Sequence, residues 1–428
     1  MKILLVSQYF WPETFRVNDL AQELVLRGNE VTVLTGKPNY PQGAIYKGYS
    51  FWGYKKEYYK GIELIRVPLI PRGKGSGLRL ALNYLSFVLF SCLYILFHKR
   101  KFDVSLTFAI SPITQVYAAL LHKKLFGSRA YLWVQDLWPE SVSAAGKMNS
   151  GLVYRMLTKM VQSIYQKVDG ICIQSEAFSQ SILQKGDYKH KISYIPNWAE
   201  DLFTDDSLIN KEHFKSLIPD GFVVMFAGNI GEAQDFDSIL KAAIRTKEYK
   251  DIKWVIVGDG RKKEFVEQQV KELDLCDTVF LLGRYPLEDM PDLFIHADVM
   301  LVSLKDQNIF SLTIPSKIQS YMAFGKPIIS MINGIGNEII KEANCGFTAN
   351  AGDFESLANN VKRLSRMDKH MLYEKGRAGK EYYQKSFTKK KIIEHLMEVC
   401  GVTTRLIPAY LKYIKATPTT MPCSNTAA

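Results

Sequence analysis

The feature that most restricts the fold is a repeated grammar: a short apolar run, a polar or glycine-rich loop, then a segment with helical spacing. Residues 1–6 (MKILLV) read as a buried strand, and residues 7–13 (SQYFWPE) as the loop that follows. In residues 16–27 (RVNDLAQELVLR), Val17, Leu20, Leu24 and Val25 share one helical face, and Gly28 closes the helix. Residues 30–34 are the next strand. Strand–helix–strand alternation of this kind predicts a parallel, doubly wound α/β sheet.

Further strands are predicted at 63–68, 103–108, 130–134, 169–175 and 191–195, and then the grammar restarts. Residues 221–227 (GFVVMFA) form a strand ending in the tight turn Gly228-Asn229-Ile230-Gly231. A helix at 237–246, a strand at 254–257 ended by Gly258-Asp259-Gly260, and a helix at 261–273 follow. The next strand, 278–282, is ended by Gly283-Arg284-Tyr285, and residues 290–296 lead to an apolar strand at 299–304. Pro315-Ser316-Lys317 then opens a short helix that Gly325 stops before a strand at 328–330. Free N–H groups at such a helix start, after a parallel strand, suit a phosphate, and Lys317 adds a cation there; an ordinary βαβ crossover with a solvated lysine is the alternative.

A chain of 428 residues is too long for one ordinary core. The predicted architecture is α/β, with two tandem Rossmann-like domains, parallel sheets and a cleft between them. The domains are 1–197 and 221–368, with a polar linker at 198–220. A charged helical segment at 369–400 caps the fold, and a tail at 401–428 has a Thr/Pro/Ser-rich end, 417–428, predicted to be disordered. No G-x-G-x-x-G follows the first strand, which argues against a dinucleotide site in that half.

Residues 80–97 (LALNYLSFVLFSCLYILF) carry no charge, with Arg72, Lys74 and Arg79 before them and His98-Lys99-Arg100-Lys101 after. As a helix this run is about 27 Å long, near spanning length. The strands on either side belong in one sheet, which a span would place on opposite sides of a bilayer. The expectation is a monotopic helix over about 78–98, packed partly on its domain and partly in an anionic leaflet, with an ordinary core helix as the alternative. Net charge of +12 and a pI near 9.1 fit an anionic partner. Residues 37–60 are Pro-, Gly- and Tyr-rich, a loop long enough to be functional, suited to sugar stacking or to an interface. Six scattered cysteines without a C-x-x-C pair, and no cleavable signal peptide, point to the cytosol. Seven histidines without metal spacing imply no protein-bound metal.

At the end of the 130–134 strand stand Asp136, Trp138 and Glu140, two carboxylates and an aromatic ring at a strand terminus, the setting of many active sites. Asp136 as a plain helix cap is the alternative.

With these residues together, the chain resembles the retaining glycosyltransferases of family 4, which have the GT-B fold. The resemblance rests on VSQYFWPE, LRGNEVTVLTGKPNYPQG, WVQDLWPES, IPNW, FAGNIGEAQ, VGDG, LLGRYP and PSKIQSYMAFGKPII, in that order over residues 1–400. The branch it is most similar to builds bacterial O-antigen, capsule and colanic-acid repeats and includes L-fucosamine transferases. The resemblance implies a nucleotide-sugar donor, chiefly a UDP-sugar, and a polyprenyl-diphosphate-linked saccharide as acceptor. It implies no cofactor, no nucleic-acid partner, and a cytoplasmic protein peripheral on the inner face of the cell membrane.

By the same resemblance Gly228, Asn229, Gln234, Arg261, Gly283, Arg284, Tyr285, Ser316, Lys317, Gln319 and Ser320 would meet the donor, Lys317 at its diphosphate. Glu13, Arg16, Asn39 and Tyr40 would face the acceptor, and Asp136 and Glu140 the reacting carbon, with no covalent role for Asp136. The family's two carboxylates before the G-K-P are replaced by Leu312 and Ser320, and two of its cations by Asn229 and Asp235. A sugar-nucleotide epimerase of the same fold and a non-catalytic nucleotide-binding homologue are the competing readings.

Overall fold

A computed structural model describes residues 1–73, 77–146 and 151–403. Lys74 and the tail segment 417–428 lie outside the described residues. The first domain holds β1 (Lys2–Val6), β2 (Glu30–Gly36), β3 (Lys55–Tyr59), β4 (Ile62–Val67), β5 (Val104–Ala109), β6 (Arg129–Val134), β7 (Gly170–Ile173) and β8 (Ile192–Tyr194). Their order across the sheet is β3-β4-β2-β1-β5-β6-β7-β8. The second domain holds β9 (Phe222–Ala227), β10 (Ile252–Val257), β11 (Val279–Gly283), β12 (Val299–Ser303), β13 (Ile328–Met331) and β14 (Gly346–Ala349), ordered β11-β10-β9-β12-β13-β14. These pairings are parallel apart from β3 with β4. The two tandem parallel-sheet α/β domains expected from the sequence are therefore present.

Helices cover both faces of each sheet, so the central strands are buried on both sides. Ile3, Leu4, Leu5 and Val6 are each at most 1% exposed, which is why the strand reads as an unbroken apolar run. One departure is β3, which ends the segment expected to be a loop. Lys60 and Gly61, with φ of +48° and +78°, form the tight turn that folds it back on β4. Glu57 holds the otherwise buried Arg66, and Lys56 pairs with Glu63, across the ladder. Another is the segment after β13, which the sequence reading left unassigned. It forms helix Ile335–Glu342, β14 and helix Phe354–Ser365.

The linker is less solvated than its polar composition implies. Trp198 and Phe203 are buried, and Phe203 stacks on Phe294 of the second domain at 5.3 Å. The charged segment from residue 369 is two helices, Lys369–Ser386 and Lys389–Val399. The second returns to the first domain, where Lys389 pairs with Glu23 as well as with Asp201 of the linker.

Helix Gly77–His98 is in part folded inside out. Its buried face joins Phe87, Tyr94 and Ile95 to the polar Asn83, Ser86 and Ser91, whereas Leu78, Leu82, Leu85, Leu89, Leu96 and Phe97 are exposed. The polar residues are used internally: Asn83 Oδ1 accepts from Gln8 Nε2 at 2.7 Å, and Asn83 Nδ2 donates to the Ile70 carbonyl at 2.6 Å. Ser86 Oγ accepts from the Ile70 N–H. The flanking strands β4 and β5 lie in one sheet with β2 and β1 between them, so the helix is a crossover and not a span. It is the one helix among the described residues long and apolar enough to cross a membrane.

This orientation fixes an order of stability effects. Asn83→Ala should cost about 1–3 kcal/mol by stranding buried polar partners. Leu85→Ser and Leu89→Ser should each stay within about 0.5 kcal/mol. Urea unfolding measures both, and the reverse ranking would show the leucine stripe to be the packed face.

Candidate active site

Three strands of the second sheet end side by side in glycine turns. Gly228 N–H donates to the Val257 carbonyl (2.8 Å), Gly258 N–H to the Gly283 carbonyl (2.7 Å) and Ile230 N–H to the Asp259 carbonyl (2.8 Å). These bonds carry the ladder past the strands and press backbone on backbone. A Cβ on Gly258 would lie 1.8 Å from the Gly228 carbonyl oxygen, and one on Gly260 would lie 2.3 Å from that of Ile230. Both positions also have positive φ, so only glycine is accommodated without strain.

Lys317, in the first turn of helix Ser316–Phe324, reaches over this floor. A Cβ on Gly228 would lie 2.9 Å from its Nζ, which also sits 3.4 Å from the centroid of the Phe226 ring. Among the described residues no acceptor or carboxylate lies within bonding distance of this ammonium. Desolvation by burial alone lowers its pKa to about 7.

The turns form one wall of a cavity of about 540 Å³ between the domains. Tyr40 and Pro41 of the first domain face Gly228, Asn229, Gly258, Asp259, Gly260, Arg284 and Tyr285 of the second. Five expected site residues are thus brought together: Tyr40, Gly228, Asn229, Arg284 and Tyr285. Asp259 and Gly260 were not singled out as site residues, although G-D-G at a strand end was a visible signal.

Other expected site residues serve as fasteners. Glu13 is buried and accepts the backbone N–H groups of Asn39 (2.8 Å), Tyr40 (2.7 Å) and Phe10 (3.3 Å). Burial outweighs these bonds and raises its pKa to about 7. Asn39, fully buried, accepts from the Arg72 N–H and donates to the Lys37 carbonyl. Gln234 Oε1 accepts from the Gly231 N–H, closing the first glycine turn. Gln319 donates to the Asn197 carbonyl at 2.7 Å, turned toward the linker. Ser320 bonds the Ser316 carbonyl, and its hydroxyl lies 3.4 Å from Glu200, which in turn pairs with Arg16 at 2.9 Å. Glu140 is neutralised by Lys185 and accepts from Ser181. Gly283 ends β11, while Ser316 and Arg261 are exposed at their helix starts.

Asp136 accepts from Ser111 Oγ at 2.9 Å, and Trp138 Nε1 donates to the same oxygen at 3.0 Å. Burial raises the Asp136 pKa. Asp136 thus belongs to a side-chain network rather than capping by its carboxylate alone. Among the described residues no cluster of three His, Cys, Asp or Glu side chains could hold a metal.

Two parallel-sheet domains facing each other across a glycine-floored cleft define the GT-B class. The family described as glycosyl transferase 4-like domain matches residues 14–198, and that of glycosyl transferases group 1 matches residues 209–381. The chain is a glycosyltransferase of the GT-B type, with both of its domains accounted for. It is 27% identical over 341 residues, 76% of this chain and 82% of the relative, to a protein of Escherichia coli (strain K12) named for colanic acid biosynthesis, the glycosyl transferase WcaI. The fold is that of sucrose-phosphate synthase from Thermosynechococcus elongatus, with a TM-score of 0.73, 17% identity, and coverage of 97% of this chain and all of that one. It is also that of Anabaena Alr3699/HepE, solved with UDP and glucose, at a TM-score of 0.67 and 16% identity, covering 94% of this chain and 99% of that one.

The isolated ammonium generates a direct test. An anion bound beside Lys317 favours its charged form, so its pKa should rise on binding, and anion affinity should fall as pH increases above about 7, where the free amine loses its proton. In protein carrying ¹³Cε-lysine, one resonance, absent from Lys317→Met, should titrate near pH 7 and move upward with inorganic pyrophosphate. A Lys317 that titrates near 10 with and without pyrophosphate would contradict this account.

Proposed function

We propose that this protein transfers a hexose-type sugar, with retention, from a UDP-sugar to a polyprenyl-diphosphate-linked saccharide in the biosynthesis of a bacterial surface polysaccharide such as O-antigen or capsule. The observation that carries the donor reading is Lys317, an ammonium without an acidic partner held beside Gly228, whose turn lines the interdomain cavity. That arrangement suits a diphosphate whose negative charge grows as the anomeric carbon–oxygen bond breaks. The bond electrons leave with UDP, the acceptor hydroxyl forms the new bond on the same face, and its proton is released. Gly228, Gly258 and Gly260 let the strand-end turns pack backbone on backbone with Lys317 beside them, and Arg284 and Tyr285 stand on the same cavity wall. N-acetyl-L-fucosamine heads the donor screen on the strength of the sequence resemblance.

The acceptor reading rests on the inside-out helix. Its outward leucines have company in Trp52, 72% exposed, on a loop that Tyr54 ties to the helix through the Phe90 carbonyl. Leu152, Val153 and Met156 are also exposed, at the start of helix Leu152–Lys167. Such a surface favours a monotopic, peripheral position on the cytoplasmic leaflet, where each nearby lysine or arginine contributes about 1 kcal/mol against anionic lipid.

UDP release from a panel of UDP-sugars with a lipid-linked acceptor tests the whole reading. Lys317→Ala should lower kcat/KM by about 100-fold. Asp136→Asn should lower kcat while leaving UDP affinity unchanged, because it keeps shape and loses charge. Leu85→Ser with Leu89→Ser should abolish sedimentation with anionic vesicles and reduce turnover on the lipid-linked acceptor, but not on a short water-soluble analogue. UDP binding with no turnover on any donor would favour the non-catalytic reading, and wild-type kinetics in Lys317→Ala would remove its role.

A further inference from the structure

Arg72 lies between β4 and the inside-out helix, and among the described residues no carboxylate pairs with it. Other arginines of the same domain are paired: Arg16 with Glu200, Arg66 with Glu57, Arg100 with Glu63. Arg72 instead faces aromatic rings. Its guanidinium carbon is 5.0 Å from the centroid of Tyr40, and its Nη1 donates to the Tyr9 hydroxyl at 3.5 Å. Tyr9, Phe15 and Tyr40 form a platform of three rings with centroids 5.2–5.7 Å apart.

The backbone beneath this arginine is fixed. Its N–H donates to Asn39 Oδ1, and the next residue, Gly73, donates to the Gly43 carbonyl at 2.8 Å. The two loops touch so closely that a Cβ on Gly43 would lie 1.9 Å from the Gly73 carbonyl oxygen. Arg79, in the first turn of the helix, lies against the same place: a Cβ on Gly73 would be 3.3 Å from its Nε. Two guanidinium side chains therefore converge on residues 72 and 73, neither with an acidic partner among the described residues.

Their position follows an order. Tyr40, under the Arg72 guanidinium, also lines the interdomain cavity, and the exposed leucine stripe begins at Leu78, next to Arg79 in the chain. Contact and chain order together give sugar cavity, arginine pair, apolar stripe. A lipid-linked saccharide presents the same order: sugar, diphosphate, hydrocarbon. Guanidinium groups suit phosphate through their planar fork of donors.

We propose that Arg72, supported by Arg79, binds the diphosphate ester that joins the acceptor's sugar to its lipid. The assignment rests on the reading of a lipid-linked acceptor given above. It makes Arg72 a binding residue that sets how far the acceptor sugar enters the cleft. An anionic phospholipid offers similar phosphate chemistry, and the test separates the two sources.

Citronellyl diphosphate, a short water-soluble prenyl diphosphate, is titrated calorimetrically into the full chain, wild type and variants. Arg72→Gln should weaken its binding at least tenfold, with Arg72→Lys intermediate, because a point charge lacks the fork. UDP affinity should be unchanged, and sedimentation with phosphatidylglycerol vesicles should weaken by no more than the roughly fivefold that one surface cation contributes. Binding of citronellyl diphosphate to Arg72→Gln as to wild type would overturn the proposal. So would displacement by UDP, which would put the ligand in the donor pocket, or loss of vesicle sedimentation alone, which would give Arg72 to membrane headgroups. Should Arg72→Gln not fold, wild-type affinity in Arg72→Lys is the overturning result. Binding is read without turnover, so a failure of sugar transfer is distinguishable from a failure of this site.

Discussion

The contact on which the site depends is that of bare backbone on bare backbone at the ends of β9 and β10. Gly258 and Gly260 bring their α-carbons onto the carbonyls of Gly228 and Ile230, so the cleft floor carries no side chains at the point of closest approach. The space above Gly228 is taken by the Lys317 amine, which a β-carbon there would displace. An ammonium held without an acidic partner in a desolvated place is destabilising, and its lowered pKa expresses that cost. A bound anion would favour the charged form, so anion binding and protonation of Lys317 are coupled.

The domains are held around this floor by contacts from the linker and from the chain end. Asn197 receives Gln319, Glu200 reaches both Arg16 and Ser320, and the Ala199 N–H donates to the Tyr383 hydroxyl. Helix Lys389–Val399 adds its buried Ile392, Ile393 and Leu396 to a core cluster that joins the two domains and the linker. Tyr40 of the first domain and Arg284 of the second both line the cavity between the domains. Glu200 also stands beside Ser320, a position where the resembled family carries a carboxylate, so the linker brings an acidic group to a helix that lacks one.

Much of the fold was legible because parallel sheets bury both faces, and strands such as β1, β9 and β12 are written as unbroken apolar runs. The edge strand β3 was not, since Lys55–Tyr59 runs three charges followed by two tyrosines, without an apolar run or an apolar–polar alternation. Composition marked the 80–97 run as unusual, yet the direction in which its leucines face came only from the partners of Asn83 and Ser86. The glycine turns were legible as turns at strand ends. Polar residues were harder, because a sequence does not distinguish a side chain waiting for ligand from one bonded to backbone. Glu13, Asn39, Gln234 and Gln319 are of the second kind. Arg72 and Glu200 were missed as site residues for the opposite reason: they lie on irregular segments where no periodicity or motif singles them out.

The central claim is that the glycine turns and Lys317 form one anion site that a nucleoside diphosphate occupies. Hydrogen–deuterium exchange of the full chain with and without UDP tests it most directly. Added protection should concentrate in the peptides covering 228–234, 258–262, 283–285 and 316–318, with the first-domain sheet unchanged. Protection confined to the first domain, or UDP binding that leaves these four segments exchanging as before, would contradict the account.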